Sequence, residues 1–311
     1  MPVLRVTGID RVQLIQRFMD HLLLLRDRSN LEMCLLDFVG DSSNGDEYVK
    51  LWIRHALLCQ VRKLIVAGTF LLDNLHFVSQ YLTELHLDGV TLRDKCTDFS
   101  SCLALKHLEM TNCDIHPEKF YSRPLEWLNL QGCFFPMDLR THISAPSLIS
   151  LQLINFGGRT PFFEHMLVLV TTEATFDPNY ADSCNNNDPG YCEDASCHSC
   201  YGIGDGGAGS VLLSGFSAAR SLKLIAEPKM RCVTDDHRAL ICILQHSPVR
   251  KKLTLQLYKK QKPKSLVPSK AIFNSVDVLF LHRTILRELK SNVSVSSVLV
   301  SAQWTPEKMK I

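Results

Sequence analysis

Apolar positions along the chain recur in rows about twenty residues apart. Val61, Leu64, Val66 and Leu71 form the first row, and Leu82, Leu85, Leu87 and Leu92 the second. Leu105, Leu108, Met110 and Ile115 follow, then Leu125, Leu128, Leu130 and Phe135, then Leu148, Leu151, Leu153 and Gly158. The offsets within each row are 0, 3, 5 and 10, and successive rows start 21, 23, 20 and 23 residues apart. Nineteen of these twenty positions are apolar, where a chain that is 46% apolar would supply about nine. Cys113 and Cys133 lie eight residues past their row starts, in the slot that takes Asn or Cys in the leucine-rich pattern L-x-x-L-x-L-x-x-N/C-x-L.

Leu85 and Leu87 alternate with His86, which predicts a strand with one buried and one open face. One such unit cannot bury its apolar side alone, so stacked units are expected to share a continuous leucine ladder beneath a parallel sheet. The expected fold class is therefore α/β: a leucine-rich repeat solenoid of about seven to nine units, with a parallel sheet on the concave face and helices and irregular turns on the convex face. Pro124 and Pro146 fall just before strands, where an extended entry is wanted. Leu31, Cys34 and Leu36 extend the array upstream, and Leu169, Thr172 and Ala174 extend it downstream. Leu222 with Leu224 and Leu253 with Leu255 predict two more strands. Helical faces are predicted from Val12, Ile15, Phe18, Met19 and Leu22, from Val49, Trp52, Ile53, Ala56 and Leu57, and from Ala239 to Leu244. The predicted organisation is a capping helix region over 1–30, repeats over 31–176, an inserted Cys/Asn/Gly-rich loop over 177–210, further repeats over 211–258, and a basic linker with a divergent tail over 259–311. Within that tail Val276–Lys290 reads as a short helix and Val293–Val300 as a strand.

Composition narrows the picture. The 311 residues carry 34 Lys/Arg against 32 Asp/Glu, a net charge of +2, which argues against a nucleic-acid partner. No apolar run reaches the roughly 18 residues of a membrane span. The residues from Met1 to Arg5 show no secretory pattern, so the expected location is cytoplasmic or nuclear and the twelve cysteines are expected to be thiols.

Several stretches resemble one family. Phe18–Ser29 (FMDHLLLLRDRS), Leu51–Gln60 (LWIRHALLCQ), Asp98–Leu108 (DFSSCLALKHL), Ile143–Leu153 (ISAPSLISLQL), Tyr201–Asp205 (YGIGD) and Arg238–Leu257 (RALICILQHSPVRKKLTLQL) are similar to plant F-box/LRR proteins, particularly those of grasses. The resemblance spans residues 3–257 or so. It implies the substrate-receptor part of an SCF-type ubiquitin ligase, in which the F-box holds a Skp1 adaptor and the repeats hold a target protein. An F-box would read as a Leu-Pro start, short helices and a Ser-Arg-Arg-Trp-Arg-like finish, and no such stretch lies between Met1 and Leu31. Binding of a Skp1-type adaptor is thus not assigned to these residues, and neither is a ligase role. The family continues beyond its counterpart of Leu257 into the FBD region, from which Tyr258–Ile311 departs.

The candidate binding surface is the outward row of the strands. It consists of Glu84, His86 and Asp88; His107, Glu109 and Thr111; Trp127, Asn129 and Gln131; and Ser150 and Gln152. A tryptophan amid polar residues is the kind of anchor that protein interfaces use, and its alternative is a ring folded against a neighbouring strand. The expected partner is an unidentified target protein. His86 and His107 are read as taking the same place in neighbouring repeats, solvent-facing rather than a catalytic dyad. Cys184, Cys192, Cys197 and Cys200 are weak candidates for zinc, since Cys197-x-x-Cys200 is half a ligand set but Cys184 and Cys192 are poorly spaced. Gly202, Gly204 and Gly207 spell G-x-G-x-x-G without the strand and helix that a dinucleotide site needs. No catalytic constellation is found, so no enzyme activity and no cofactor are expected. The basic stretch from Arg250 to Lys270 reads as a solvated linker or an import signal. Two alternatives to target recognition remain: a zinc-dependent scaffold built on the Cys184–Cys200 loop, and a truncated family member without stable function.

Overall fold

A computed structural model describes residues 2–9, 12–25, 30–41, 45–164, 166–176, 215–216, 219–226, 252–258, 270–273 and 297–303. The chain begins with β1 (Val3–Ile9), α1 (Val12–Leu25), β2 (Met33–Asp41) and α2 (Asp46–Leu58). It continues through β3 (Lys63–Thr69), β4 (Leu71–Leu72), β5 (Glu84–Asp88), β6 (Thr91–Leu92), β7 (His107–Thr111), β8 (Asp114–Ile115) and β9 (Lys119–Tyr121). Then come β10 (Trp127–Gln131), β11 (His142–Ser144), β12 (Ser150–Phe156), β13 (Phe162–Glu164) and β14 (Thr171–Phe176). The described C-terminal strands are β15 (Ser221–Ala226), β16 (Lys252–Tyr258), β17 (Lys270–Phe273) and β18 (Ser297–Gln303).

Twelve strands form one sheet in the order β1-β2-β3-β5-β7-β10-β12-β14-β15-β16-β18-β17. Its pairings are parallel, except that β18 runs antiparallel to β16. The register is the repeat made visible. Cys34, Leu64, Leu85, Leu108, Leu128, Leu151, Thr172 and Leu222 lie side by side across eight strands. Leu36, Val66, Leu87, Met110, Leu130, Leu153 and Ala174 do the same two residues on. Every member of both rows is buried. So are Leu31, Val61, Leu82, Leu105, Leu125, Leu148 and Leu169, which precede the strands. The molecule is a parallel-sheet solenoid whose core is a set of apolar ladders, each strand covering the next.

The expected convex face of helices and irregular turns is weighted toward turns. The helices α1 and α2 follow β1 and β2, Gly215 is helical ahead of β15, and from Cys59 to Phe176 the return limbs hold turns and short strands. Two small sheets, β4-β6-β8 and β9-β11-β13, line that side. Repeat length explains the change. The interval from Leu31 to Val61 accommodates the 13-residue α2, whereas later intervals of 20 to 23 residues must spend their chain on turns that close each coil. The limbs are filled instead by aromatic rings. Phe99 packs on Phe77 and Phe120 at centroid distances of 5.4 and 5.5 Å, and Phe135 meets Phe156 edge-on at 6.4 Å.

Two ladder positions also shift. Leu71 is half-buried and Leu72 fully buried, because an extra residue follows Gly68 and β4 pairs Leu72 with Leu92. Phe156 replaces the cysteine of the slot in the fifth row and fills its core. The α2 face is buried as expected, at Val49, Trp52, Ile53, Ala56 and Leu57. In α1 the buried side turns toward Met19, leaving Phe18 exposed. The strands of Leu222 and Leu253 are present as β15 and β16, and Ser297–Gln303 forms the strand predicted at Val293–Val300, displaced toward the C-terminus. β1 and β17 had no predicted counterpart. The predicted helices at Ala239–Leu244 and Val276–Lys290 lie outside the described residues. Among the described residues no helix is long and apolar enough to cross a membrane.

Candidate functional site: the open face of the sheet

The open face exists because the strands alternate. In β5 and β10 the second and fourth residues are buried and the first, third and fifth are not. The same parity places all the predicted surface residues on one side: Glu84, His86 and Asp88 from β5, His107, Glu109 and Thr111 from β7, Trp127, Asn129 and Gln131 from β10, and Ser150 and Gln152 from β12. They range from half-buried to exposed, except Ser150, which is buried and accepts a hydrogen bond from Thr171 Oγ1 at 2.9 Å.

The register sets each of them beside the residue at the same offset in the next row. His86 and His107 do not share a place. His107 stands beside Glu84, and His86 stands beside Glu109. His86 Nδ1 lies 2.9 Å from Glu109 Oε2, and its Nε2 lies 3.7 Å from Glu84 Oε2. Asn129 Nδ2 donates to Glu109 Oε1 at 3.3 Å. Lys63 Nζ donates to Glu84 Oε2 at 2.7 Å, and that hydrogen bond holds the Glu84 carboxyl below the usual carboxylate range. Asp88 accepts from Asn112 Nδ2 at 3.4 Å.

Trp127 is half-exposed and is not folded under a loop; its indole stacks on the His107 imidazole. Around this pair the face is hollowed into a recess of about 270 Å³. Its walls include Glu84, His86, Glu109, Asn129, Ser150 and Gln152. Asn129 Oδ1 is shielded from solvent and accepts no hydrogen bond among the described residues. A recess with an aromatic floor, two carboxylates and a shielded acceptor can hold a cationic, hydrogen-bond-donating group.

The zinc candidates Cys184, Cys192, Cys197 and Cys200, and the glycines 202, 204 and 207, lie outside the described residues. Among the described residues no group of three or more His, Cys, Asp or Glu is placed to hold a metal ion. The six described cysteines are buried thiols with structural roles. Cys113 Sγ reaches the Leu87 carbonyl at 3.4 Å and Cys133 Sγ the Met110 carbonyl at 3.3 Å, each tying its coil to the previous one. The contact with Cys133 and burial push the Cys113 thiol up from its ordinary range.

Sequence reasoning missed a second ladder, at the end of the strands. Gly68, Gly89, Asn112, Gly132 and Asn155 each stand seven residues past a row start and each has a positive φ. The chain turns there through the left-handed region, which Gly and Asn enter most readily. Gly89, Asn112 and Gly132 directly follow β5, β7 and β10, while β3 and β12 run one residue past Gly68 and Asn155. The Gly/Asn restriction at one offset was the available signal.

Comparison with known proteins finds no matching family model, no matching curated protein and no matching solved structure.

Proposed function

We propose that the chain is a leucine-rich repeat recognition module that holds a target protein on the open face of its sheet, in the manner of the repeats in F-box/LRR receptors. The observation that carries this reading is the half-exposed Trp127, stacked on His107 at the centre of a polar recess. An indole left half-exposed on a rigid sheet, amid hydrogen-bonding groups, is a protein-binding anchor. The repeat spacing supports the leucine-rich reading, since the apolar offsets of 0, 3 and 5 are the buried residues of strand after strand. In such a receptor the module selects a target and partner enzymes carry the ubiquitin chemistry, so its own surface needs no catalytic group.

Site-specific photo-crosslinking tests the reading. A benzoyl-phenylalanine placed at Gln131, on the open face, is expected to capture a discrete protein from cell extract. The same probe at Phe18, exposed on α1, is expected not to. Equal labelling from the two positions, or none from Gln131, overturns the proposal. Mixing the chain with a plant Skp1 adaptor on a sizing column separately reads the adaptor connection: co-elution would support a ligase-receptor role, and separate elution would leave a free-standing recognition module.

A further inference from the structure

We propose that the recess over the His107–Trp127 stack is a binding site for an arginine side chain, displayed by a basic segment of the partner protein. The inference rests on the recognition reading above and adds the chemistry of what is recognised.

Three independent features converge on it. The first is a flat aromatic platform. The His107 and Trp127 rings are stacked with only 15° between their planes, and the indole is half-exposed, so one face is open to a planar cation. A guanidinium stacks on such a surface through both cation–π attraction and shape, whereas an ammonium does so as a point charge. The second is charge. On β5, β7, β10 and β12 the open face bears Glu84, Asp88 and Glu109 and no Lys or Arg. The adjacent Lys63 is committed to Glu84. Among the described residues Glu109 is hydrogen-bonded by His86 and Asn129, and its carboxylate has further acceptor sites to offer. A local negative face on a chain of net charge +2 selects cationic partners. The third is the shielded Asn129 Oδ1, an acceptor beside Glu109 that no donor meets among the described residues. A guanidinium presents five N–H donors in a rigid fork, enough for the carboxylate and, once the Asn129 side chain turns toward the recess, this amide oxygen together.

Fluorescence anisotropy with labelled nonapeptides tests the proposal on the full chain. Nona-arginine is expected to bind. Nona-citrulline, which keeps the shape and loses the charge, is expected to bind at least about tenfold more weakly, and nona-lysine at least about threefold more weakly. Glu109→Gln and Trp127→Ala should each weaken nona-arginine binding about tenfold. Glu118→Gln, an equal charge change at an exposed position outside these strands, should change it less than about twofold. Equal affinity for the citrulline peptide overturns the proposal and needs no variant that must fold. So does a Glu109→Gln effect no larger than that of Glu118→Gln. Binding that emerges only after Lys259, Lys260, Lys262 and Lys264 are changed together to Gln would give the recess to the chain's own basic stretch and overturn the partner assignment. A partner cross-linked at Gln131 by a chain that ignores arginine peptides would sink this inference alone. Silence in both experiments would sink the recognition reading with it.

Discussion

The indole of Trp127 lies against the imidazole of His107 with ring centroids 5.8 Å apart, because β10 and β7 pair in a register that puts the two residues side by side. A stack fixed by sheet register should be rigid, and proton NMR can see it. The His107 ring protons are expected upfield of free histidine, in the shielding cone of the indole. Trp127→Ala should return them to the ordinary position while shifting stability by less than about 1 kcal/mol, since the indole is half outside. Unshifted His107 protons in the wild type would remove the stack.

Residues next to each other on one strand should differ sharply in their cost. Leu128 is 2% exposed in the central ladder, and Leu128→Ala should cost about 2–5 kcal/mol in denaturant unfolding. Gln131→Ala, on the open face, should stay within about 0.5 kcal/mol. Comparable losses would contradict the assigned parity.

The turn ladder makes its own prediction. Asn112 has φ 51°, so Asn112→Gly should be nearly neutral while Asn112→Val costs about 1–3 kcal/mol. Gly158 is stricter. Its φ is +79°, and an added Cβ would sit 1.8 Å from the Phe135 carbonyl oxygen. Gly158→Ala should therefore lower the melting temperature more than any other single-methyl addition at these turns. A tolerated alanine there would mean the coil closes differently.

Acid should act through Lys50, a buried lysine of α2 held by Glu47 and by Asp73, the latter at 2.5 Å. Burial opposes the Lys50 charge, but the two carboxylates outweigh it and raise its pKa. The Lys50 hydrogen bond lowers the pKa of Asp73 below its ordinary 3.8. A carboxylate with a depressed folded-state pKa stabilises the fold above its unfolded value and loses that contribution as pH falls through the folded one. The gap in melting temperature between wild type and Asp73→Asn should be full at neutral pH and close below about pH 4. A gap independent of pH would show that the ion pair contributes nothing.

Base should act through the cysteines. Burial pushes the Cys102 thiol from 9.0 up to about 12. A thiol whose folded-state pKa is raised contributes stability that is whole below pH 9.0 and is lost as pH climbs toward about 12, where the unfolded chain ionises first. Alkylation by iodoacetamide at pH 8, read by mass spectrometry, should spare Cys102, Cys113 and Cys133 until the protein is unfolded. Rapid labelling of the native chain at these positions would refute their burial.

Much of the fold was legible before any coordinates. The 0, 3, 5 offsets of Leu82, Leu85 and Leu87 named the buried residues of a strand, and their recurrence named the parallel stack. The outward residues of the candidate surface followed by parity, since a strand has only two faces. Neighbours across strands were in the pattern but were not drawn from it. Offsets from each row start pair Glu84 with His107 and His86 with Glu109, and reading the histidines as equivalent confused type with place. The extra residue after Gly68 shifted Leu71 off the ladder, which periodicity alone registers only as noise. The return limbs were read as helices or irregular turns, and between Cys59 and Phe176 turns and short strands take them, because a helix needs length that intervals of 20 to 23 residues do not leave.

By itself, then, the sequence determined the repeat, the buried ladders and which residues stand on the open face, because a period and an alternation are one-dimensional properties that the chain carries whatever it packs against. Only the tertiary structure decided that His107 supports Trp127, that Glu109 gathers His86 and Asn129, that Lys50 is buried between carboxylates and that the limbs are lined with phenylalanine rings. Those are relations between coils about twenty residues apart, set by strand register and by the space that closing each coil leaves, and no local pattern encodes a distance between them.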